Sequence, residues 1–254
     1  MPLYAQVGER LLELIERDGL APGSILPSEA ELQRAFGVSR ATIRQALQEL
    51  ERGGAVERQQ GRGTFVAVPR LERALPELTS FTEHLASKGV SSSSRLVRYE
   101  RVEDDGVGRA HALSPDPPDP RLFPRGRPLV QVVRLRLANG LPIGVHTVLV
   151  PSAIAEAIGF TRARLEADEH FSLYACLEQA GYGLHTAEEH LYARLLTPRE
   201  AALLGVPRKS AAMSVLRLTR TDGDDLVEAV RAVYLGDKYD YVIALERGST
   251  ARGR

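Results

Sequence analysis

The sequence has one cysteine, little lysine, no net charge and no long apolar run. Cys176 alone can form no intrachain disulfide and cannot anchor a Cys-rich zinc site. No stretch approaches the roughly 18 apolar residues of a membrane span. Met1-Pro2-Leu3-Tyr4 lacks the basic-then-apolar pattern of a signal peptide. These absences point to a cytoplasmic protein with no membrane partner. Basic and acidic residues both number 33, so no bulk field marks a nucleic-acid partner. Residues 1–68 hold eight arginines, no lysine and nine carboxylates. Any affinity for DNA there must come from where the arginines stand. There is also no metal-ligand cluster, no Gly-rich phosphate loop and no Ser-His-Asp signature in supporting context. His146, His170, His185 and His190 are scattered, and His185 and His190 have opposite strand parity. No catalytic residue, metal or cofactor is expected.

What remains is enough to fold: 43% of the 254 residues are hydrophobic, which suits two packed domains. Residues 1–68 read as helices followed by a short β-ribbon. Residues 69–78, with Pro69 and Pro76, read as a linker. Residues 79–247 alternate strand-like and helix-like segments, and 248–254 read as a disordered tail. Ser91–Ser94 and Pro115–Pro120 read as loops, since serine runs and repeated prolines sustain neither helix nor ladder.

In the N-terminal segment, Val7, Leu11, Leu14 and Ile15 fall on one helical stripe. Ser28-Glu29-Ala30-Glu31 has the form of a capping box. The second helix then stops at Gly37, a residue suited to the left-handed position after a helix. Ser39 is placed to cap a third helix from Arg40 to about Arg52, so the pair forms a helix-turn-helix. On helix three, Ile43, Ala46, Leu47 and Leu50 share one face. Ala41, Arg44, Gln45 and Gln48 lie opposite, with Arg40 at the edge and Thr42 on the flank. That outward face fits a recognition helix in a major groove, and equally the solvated side of an ordinary helix. Two β-like runs, Ala55–Gln60 and Thr64–Ala67, then flank Gly61-Arg62-Gly63. A ribbon with an arginine at a glycine-rich tip can reach a minor groove or a phosphate.

Three strings carry a resemblance: Leu26-Pro27-Ser28-Glu29-Ala30-Glu31-Leu32, Gly37-Val38-Ser39-Arg40-Ala41-Thr42-Ile43-Arg44-Gln45-Ala46-Leu47 and Gln60-Gly61-Arg62-Gly63-Thr64-Phe65-Val66. In this order they resemble the GntR family of bacterial transcriptional regulators. The resemblance implies a winged helix-turn-helix that binds double-stranded operator DNA through Ser39, Arg40 and Arg44, and through Gly61 and Arg62 of the wing. Thr42, Gln45 and Gln48 join them as candidates from their position on helix three. Many family members carry Arg where this chain has Ala30, which implies one backbone contact fewer.

Beyond the linker, Val130–Leu137 alternates, Asn139-Gly140 signals a tight hairpin, and Leu141–Val150 supplies the return strand. Further strands are expected at Leu96–Val102, Leu184–Leu195, Met213–Thr221 and Val227–Leu235, and helices at Ser80–Lys88, Ser172–Ala180 and Pro198–Leu204. The mixture implies an α+β domain with an antiparallel sheet. Thr79-Ser80-Phe81-Thr82-Glu83, Val133–Gly140, Ser172-Leu173-Tyr174, Thr197–Ala201 and Val233–Tyr239 resemble the UTRA effector domain of the HutC-type branch. That domain has a chorismate lyase-like fold without implied catalysis.

Arg134 and Arg136 are two apart and share one side of the sheet. A strict two-residue hairpin sets Arg136 opposite Ile143 and Arg134 opposite Val145. Paired arginines suit a phosphate or carboxylate, or salt bridges to nearby acids. In the family these positions line the effector cavity. Ser172 can cap its helix and also serve an anion. Ser80 and Thr82 are either cavity hydroxyls or simply a helix start. Glu228 and Tyr234 resemble effector-contacting positions in relatives that bind amino-sugar phosphates, yet a flat strand separates them by roughly 20 Å. His146 stands where relatives often have Glu, so their effector cannot be copied across. The expected protein is a homodimeric regulator of repressor type, whose operator affinity falls when a small anionic effector binds. The alternatives are an enzyme on a chorismate lyase-like fold and an architectural DNA binder with a vestigial sensor domain.

Overall fold

A computed structural model of the chain describes residues 1–59, 61–67, 71–75, 78–102 and 117–243. It forms two compact units: Met1–Pro69 with Ala138–Leu141, and Arg70–Leu137 with Pro142–Arg254.

The first unit contains α1 (Leu3–Arg17), α2 (Glu29–Phe36), α3 (Arg40–Arg52), β1 (Val56–Gln59) and β2 (Gly63–Val66). Helix α2 starts where the capping box is made: the Ser28 hydroxyl accepts from the Glu31 amide, and the Glu31 carboxylate accepts the Ser28 N–H at 2.8 Å. It stops at Gly37, which adopts φ 65°. The Ser39 hydroxyl opens α3 by accepting the Thr42 amide. Val7 and Leu11 of α1 pack with Leu32 of α2 and with Ile43, Ala46, Leu47 and Leu50 of α3. Leu11, Leu32, Ile43 and Leu47 are almost wholly buried, and each contributes about 1.5–3 kcal/mol. The antiparallel ribbon runs from Val56↔Val66 to Gln59↔Gly63.

The second unit contains β3 (Leu71–Leu75), α4 (Phe81–Ser87), β4 (Ser92–Val102), a 3-10 turn (Pro120–Leu122), β5 (Leu129–Ala138), β6 (Leu141–Pro151), α5 (Ser152–Ala157), α6 (Arg162–Ala167), α7 (Leu173–Gln179), β7 (Leu184–Leu195), α8 (Pro198–Leu204), β8 (Ala211–Thr221), β9 (Leu226–Leu235) and β10 (Tyr239–Ile243). Six strands make one sheet in the order β4-β5-β6-β9-β8-β7, antiparallel along β6-β9-β8-β7. Asn139 and Gly140 turn the β5–β6 hairpin with both φ values positive, 46° and 76°. Strand alternation sorts the two faces. Val133, Leu135, Val145, Val233 and Leu235 pack with Ala201 and Leu204 of α8. The opposite face carries Arg134, Arg136, His146, Ala232 and Tyr234, which line a cavity. This is the expected α+β fold.

Several local expectations need correction. The segment read as a linker contains β3, which pairs in parallel with β10 from Leu71↔Tyr239 to Leu75↔Ile243. A ladder between segments so far apart in sequence leaves no local signature, and the prolines lie outside the strand. Ser92–Ser94 open β4 instead of forming a loop. The Ser94 amide donates to Glu169 O at 2.7 Å and its hydroxyl accepts from Arg136, so the backbone gains partners that outweigh serine's turn preference. The strict hairpin register also fails. Val145 packs on the face of Val133 and Leu135, whereas His146 shares the face of Arg134 and Arg136. Cross-strand partners must share a face, so one extra residue intervenes between the turn and the cavity. Helices α5 and α6 are additional short elements. The tail 248–254 and the prolines at 69, 76 and 115 lie outside the described residues.

Candidate nucleic-acid interface and ligand cavity

On the first unit, Ser39, Arg40, Arg44, Gln45 and Gln48 are exposed along α3, with Thr42 half-buried beside them. Ser39 is also committed locally: beyond capping, its hydroxyl lies 2.9 Å from that of Thr42. Gly61 and Arg62 are exposed at the ribbon tip. Gly61 and Gly63 have φ of 75° and 121°, a turn that side-chain-bearing residues resist. The Arg62 guanidinium rests 5.7 Å from the Phe65 ring centroid, which aims it along the ribbon. Arg58 of β1 was not expected at this surface. Together with Arg40 and Arg44 it approaches Glu29.

The cavity in the second unit has a volume of about 50 Å³ and lies between the sheet and the starts of α4 and α7. That is room for little more than water, well below the roughly 300 Å³ of small ligand pockets. A metabolite therefore has to displace side chains on entry. All seven residues singled out from the sequence meet there: Ser80, Thr82, Arg134, Arg136, Ser172, Glu228 and Tyr234. Glu228 and Tyr234 reach one cavity because it runs along β9, with Val230 and Ala232 lining it between them. Residues 80 and 172 cap α4 and α7 and line the cavity as well.

The two arginines of β5 are the unusual feature. Both are buried. Arg134 donates to Phe171 O at 3.1 Å, and Arg136 donates to Ser94 Oγ at 2.6 Å while its guanidinium lies 4.1 Å from the Phe81 ring centroid. The Nε of each has no hydrogen-bond partner. Among the described residues, no carboxylate lies within 4.0 Å of either guanidinium. Burial lowers Arg134 to about 10, with Glu228 acting in the opposite sense. Burial also drives Arg136 well below its ordinary value, and the charge of Arg134 adds to the effect. Two further arginines, Arg73 and Arg217, are neutralised in part by Glu189, at 3.6 Å from Arg73 Nη2 and 2.6 Å from Arg217 Nε. The cavity thus holds more positive than negative charge.

Its neutral partners are fixed just as closely. His146 Nε2 lies 2.8 Å from the Tyr234 hydroxyl, and burial together with Arg136 and Arg134 holds this imidazole neutral at pH 7. Thr219 donates to Glu228 at 2.8 Å and meets the Tyr174 hydroxyl at 2.9 Å. Burial raises the Glu228 carboxyl, although Arg217 and these hydrogen bonds oppose the shift. Tyr234 can lie flat only because Gly144 faces it across the β6–β9 ladder. A Cβ there would stand 2.7 Å from Tyr234 Cδ1 and 2.9 Å from Val233 O.

Arg73, Arg217 and Tyr174 were missed as site residues. Arg217 could have been found from the ladder, since Val215, Arg217 and Thr219 face Ala232, Val230 and Glu228 on β9. Arg73 could not, because it arrives on the strand read as linker.

Residues 3–66 match the bacterial regulatory proteins of the gntR family, and residues 122–240 match the UTRA domain. The HTH-type transcriptional repressor NagR of Bacillus subtilis strain 168 is 32% identical over 252 residues, covering 97% of this chain and 96% of that one. The chain belongs to the GntR family. The histidine utilization repressor of Pseudomonas putida is 30% identical over 241 residues, 94% of this chain and 90% of that one. The crystal structure of PhnF from Mycobacterium smegmatis matches with a TM-score of 0.60 and 29% identity, over 94% of this chain and 99% of that chain. This GntR protein therefore joins a DNA-binding helix-turn-helix to an effector-binding UTRA domain, the combination of the HutC-type branch. It is a transcriptional regulator related to repressors, not an enzyme.

Proposed function

We propose that this regulator binds its operator as a homodimer and releases it when a small phosphate- or carboxylate-bearing effector enters the UTRA cavity. The observation that carries the reading is the pair of buried guanidiniums, Arg134 and Arg136, without a carboxylate partner among the described residues. An anion with forked acceptors supplies the missing charge and takes up the unpaired Nε–H groups. Ser80, Thr82 and Ser172 offer hydroxyls, while Glu228 and Tyr234 offer a polar far end for sugar hydroxyls or an amino group. On the DNA side, Arg40, Arg44, Gln45 and Gln48 read the major groove, with Ser39 and Thr42 at the helix start and Gly61 and Arg62 at the wing. Two copies would set two α3 helices about one helical turn, near 34 Å, apart.

Arg73 gives the effector a route to the other unit. It lines the cavity from β3, four residues beyond Pro69, the last residue of the N-terminal stretch of the first unit. An anion that draws Arg73 from Glu189 shifts the strand leading out of the DNA-binding unit, and with it the spacing of the recognition helices. By linkage, operator DNA must weaken effector binding by the same factor. The decisive experiment titrates a fluorescent operator fragment with protein in the presence of sugar phosphates, amino-sugar phosphates and small carboxylates. At least one anionic compound should raise the melting temperature and lower operator affinity by about 5- to 150-fold, while its uncharged parent does neither. Equal action by the uncharged parent would defeat the anion assignment. No response to any compound would favour the architectural reading.

Strand β7 supports the dimer. It ends the sheet order, runs for 12 residues, and leaves Leu191, Tyr192 and Leu195 exposed. A long edge with apolar side chains invites a partner strand. Antiparallel pairing with a second copy about Leu191 sets Ala187 opposite Leu195 and Glu188 opposite Arg194. Leu191→Lys should convert the dimer to monomer in light scattering at micromolar concentration. A dimer that survives unchanged would place the interface elsewhere.

A further inference from the structure

Glu29 opens α2, and its half-buried carboxylate meets arginines from two other elements. Its Oε2 accepts from Arg40 Nε at 3.1 Å, and its Oε1 accepts from Arg58 Nη2 at 2.7 Å. Arg44 Nε stands 4.0 Å from the same Oε1. Glu31, the nearest carboxylate in sequence, is committed to the Ser28 capping box. Two of these arginines lie one turn apart on α3 and the third lies on the ribbon, all on the surface assigned above to DNA. A carboxylate presents to guanidinium the planar acceptor pair that a backbone phosphate also presents.

We infer that Glu29 is a positioning residue for DNA reading, an internal counter-ion that orders Arg40, Arg44 and Arg58 while limiting their attraction to phosphate. Three positive charges and one negative leave a local excess of two. Sequence-independent binding grows with each phosphate neutralised, whereas base contacts by Arg44 need the side chain held in place. One carboxylate thus weakens the indiscriminate part of the affinity and preserves the discriminating part. This rests on the DNA reading proposed above.

The test uses full-length protein, a random-sequence 30-base-pair duplex and a duplex enriched from a random pool by the wild-type protein. Glu29→Gln keeps the side-chain size and removes the charge. It should bind the random duplex about fivefold more tightly at 0.15 M salt and about fifteenfold at 0.05 M, with a log–log salt slope steeper by about 0.9. The gain on the enriched duplex should be smaller, so the ratio of the two affinities falls. The double variant Glu29→Gln/Arg58→Gln returns the local excess to two and should recover the wild-type slope, which damage to the fold would not do. An unchanged slope in Glu29→Gln, or a double variant no closer to wild type, overturns the inference. Wild-type protein with no salt-sensitive affinity for either duplex would instead remove the DNA reading itself.

Discussion

Arg136→Met should raise the melting temperature of the ligand-free protein and shift its response to anionic effectors to roughly 10- to 150-fold higher concentration. Arg136 is 3% exposed, and Arg134 of the same strand adds like charge at its side. Its compensation is one hydrogen bond to Ser94 Oγ and the face of Phe81. Replacing buried ionic groups by apolar side chains of similar volume is often stabilising by about 1–4 kcal/mol. Leaving the Ser94 hydroxyl without its donor costs about 1 kcal/mol in return. The balance favours the variant by up to about 3 kcal/mol, at roughly 2–4 °C for each kcal/mol in a protein of this size. The same change removes charge-assisted hydrogen bonds to the effector, worth about 1.5–3 kcal/mol, or roughly 10- to 150-fold in affinity. Differential scanning fluorimetry and the operator titration read both quantities on one sample. A variant that melts lower than wild type and still releases DNA at the wild-type effector concentration would show that Arg136 is structural. Operator affinity without effector should stay within about twofold, since the substitution lies wholly inside the second unit. Stability given up at a site in exchange for function is a common trade in natural proteins.

What could be read from the sequence divides along the range of the interactions involved. The helix-turn-helix was legible because its signals are local: the Ser28–Glu31 capping box, the left-handed Gly37 and the stripe of Ile43, Ala46, Leu47 and Leu50 each fit within a few turns of chain. Arg134 and Arg136 were legible for the same reason, since parity needs only the sequence of one strand. Their actual neighbours were not. The parity offset in the β5–β6 hairpin puts His146, not Val145, beside them, and nothing in Asn139-Gly140 announces an extra residue further along. Glu228 and Tyr234 stand too far apart on one strand for a compact site, but the cavity is drawn out along β9 and takes in both. Arg73 and the ladder between β3 and β10 join segments more than 160 residues apart in sequence, and no local periodicity encodes that pairing. Glu29 belongs to a third class. Its place in the motif was visible, but a carboxylate at the first position of a helix already has a sufficient local role beside the helix dipole. Its three arginine partners emerge only when α2, α3 and the ribbon are assembled.

The same assembly separates two arginines of the DNA-binding surface by what each should contribute to binding. Arg44 projects from the exposed face of α3, and Arg62 stands at a glycine-flanked ribbon tip. A guanidinium that spans the O6 and N7 acceptors of guanine discriminates by about 1–3 kcal/mol, whereas one on a phosphate carries no sequence information. Arg44→Ala should therefore weaken binding to the enriched duplex by roughly 10- to 150-fold beyond the loss seen on random duplex, collapsing the ratio between them. Arg62→Ala should weaken both duplexes together, by about fivefold at 0.15 M salt, and reduce the salt slope by about 0.9. Anisotropy titrations of the two variants on both duplexes, at two salt concentrations, distinguish these patterns whatever the natural operator proves to be. If Arg44→Ala kept the wild-type ratio, α3 would be a solvated helix. The burden of recognition would then fall on the ribbon, where the exposed Arg62 stands over the Phe65 ring.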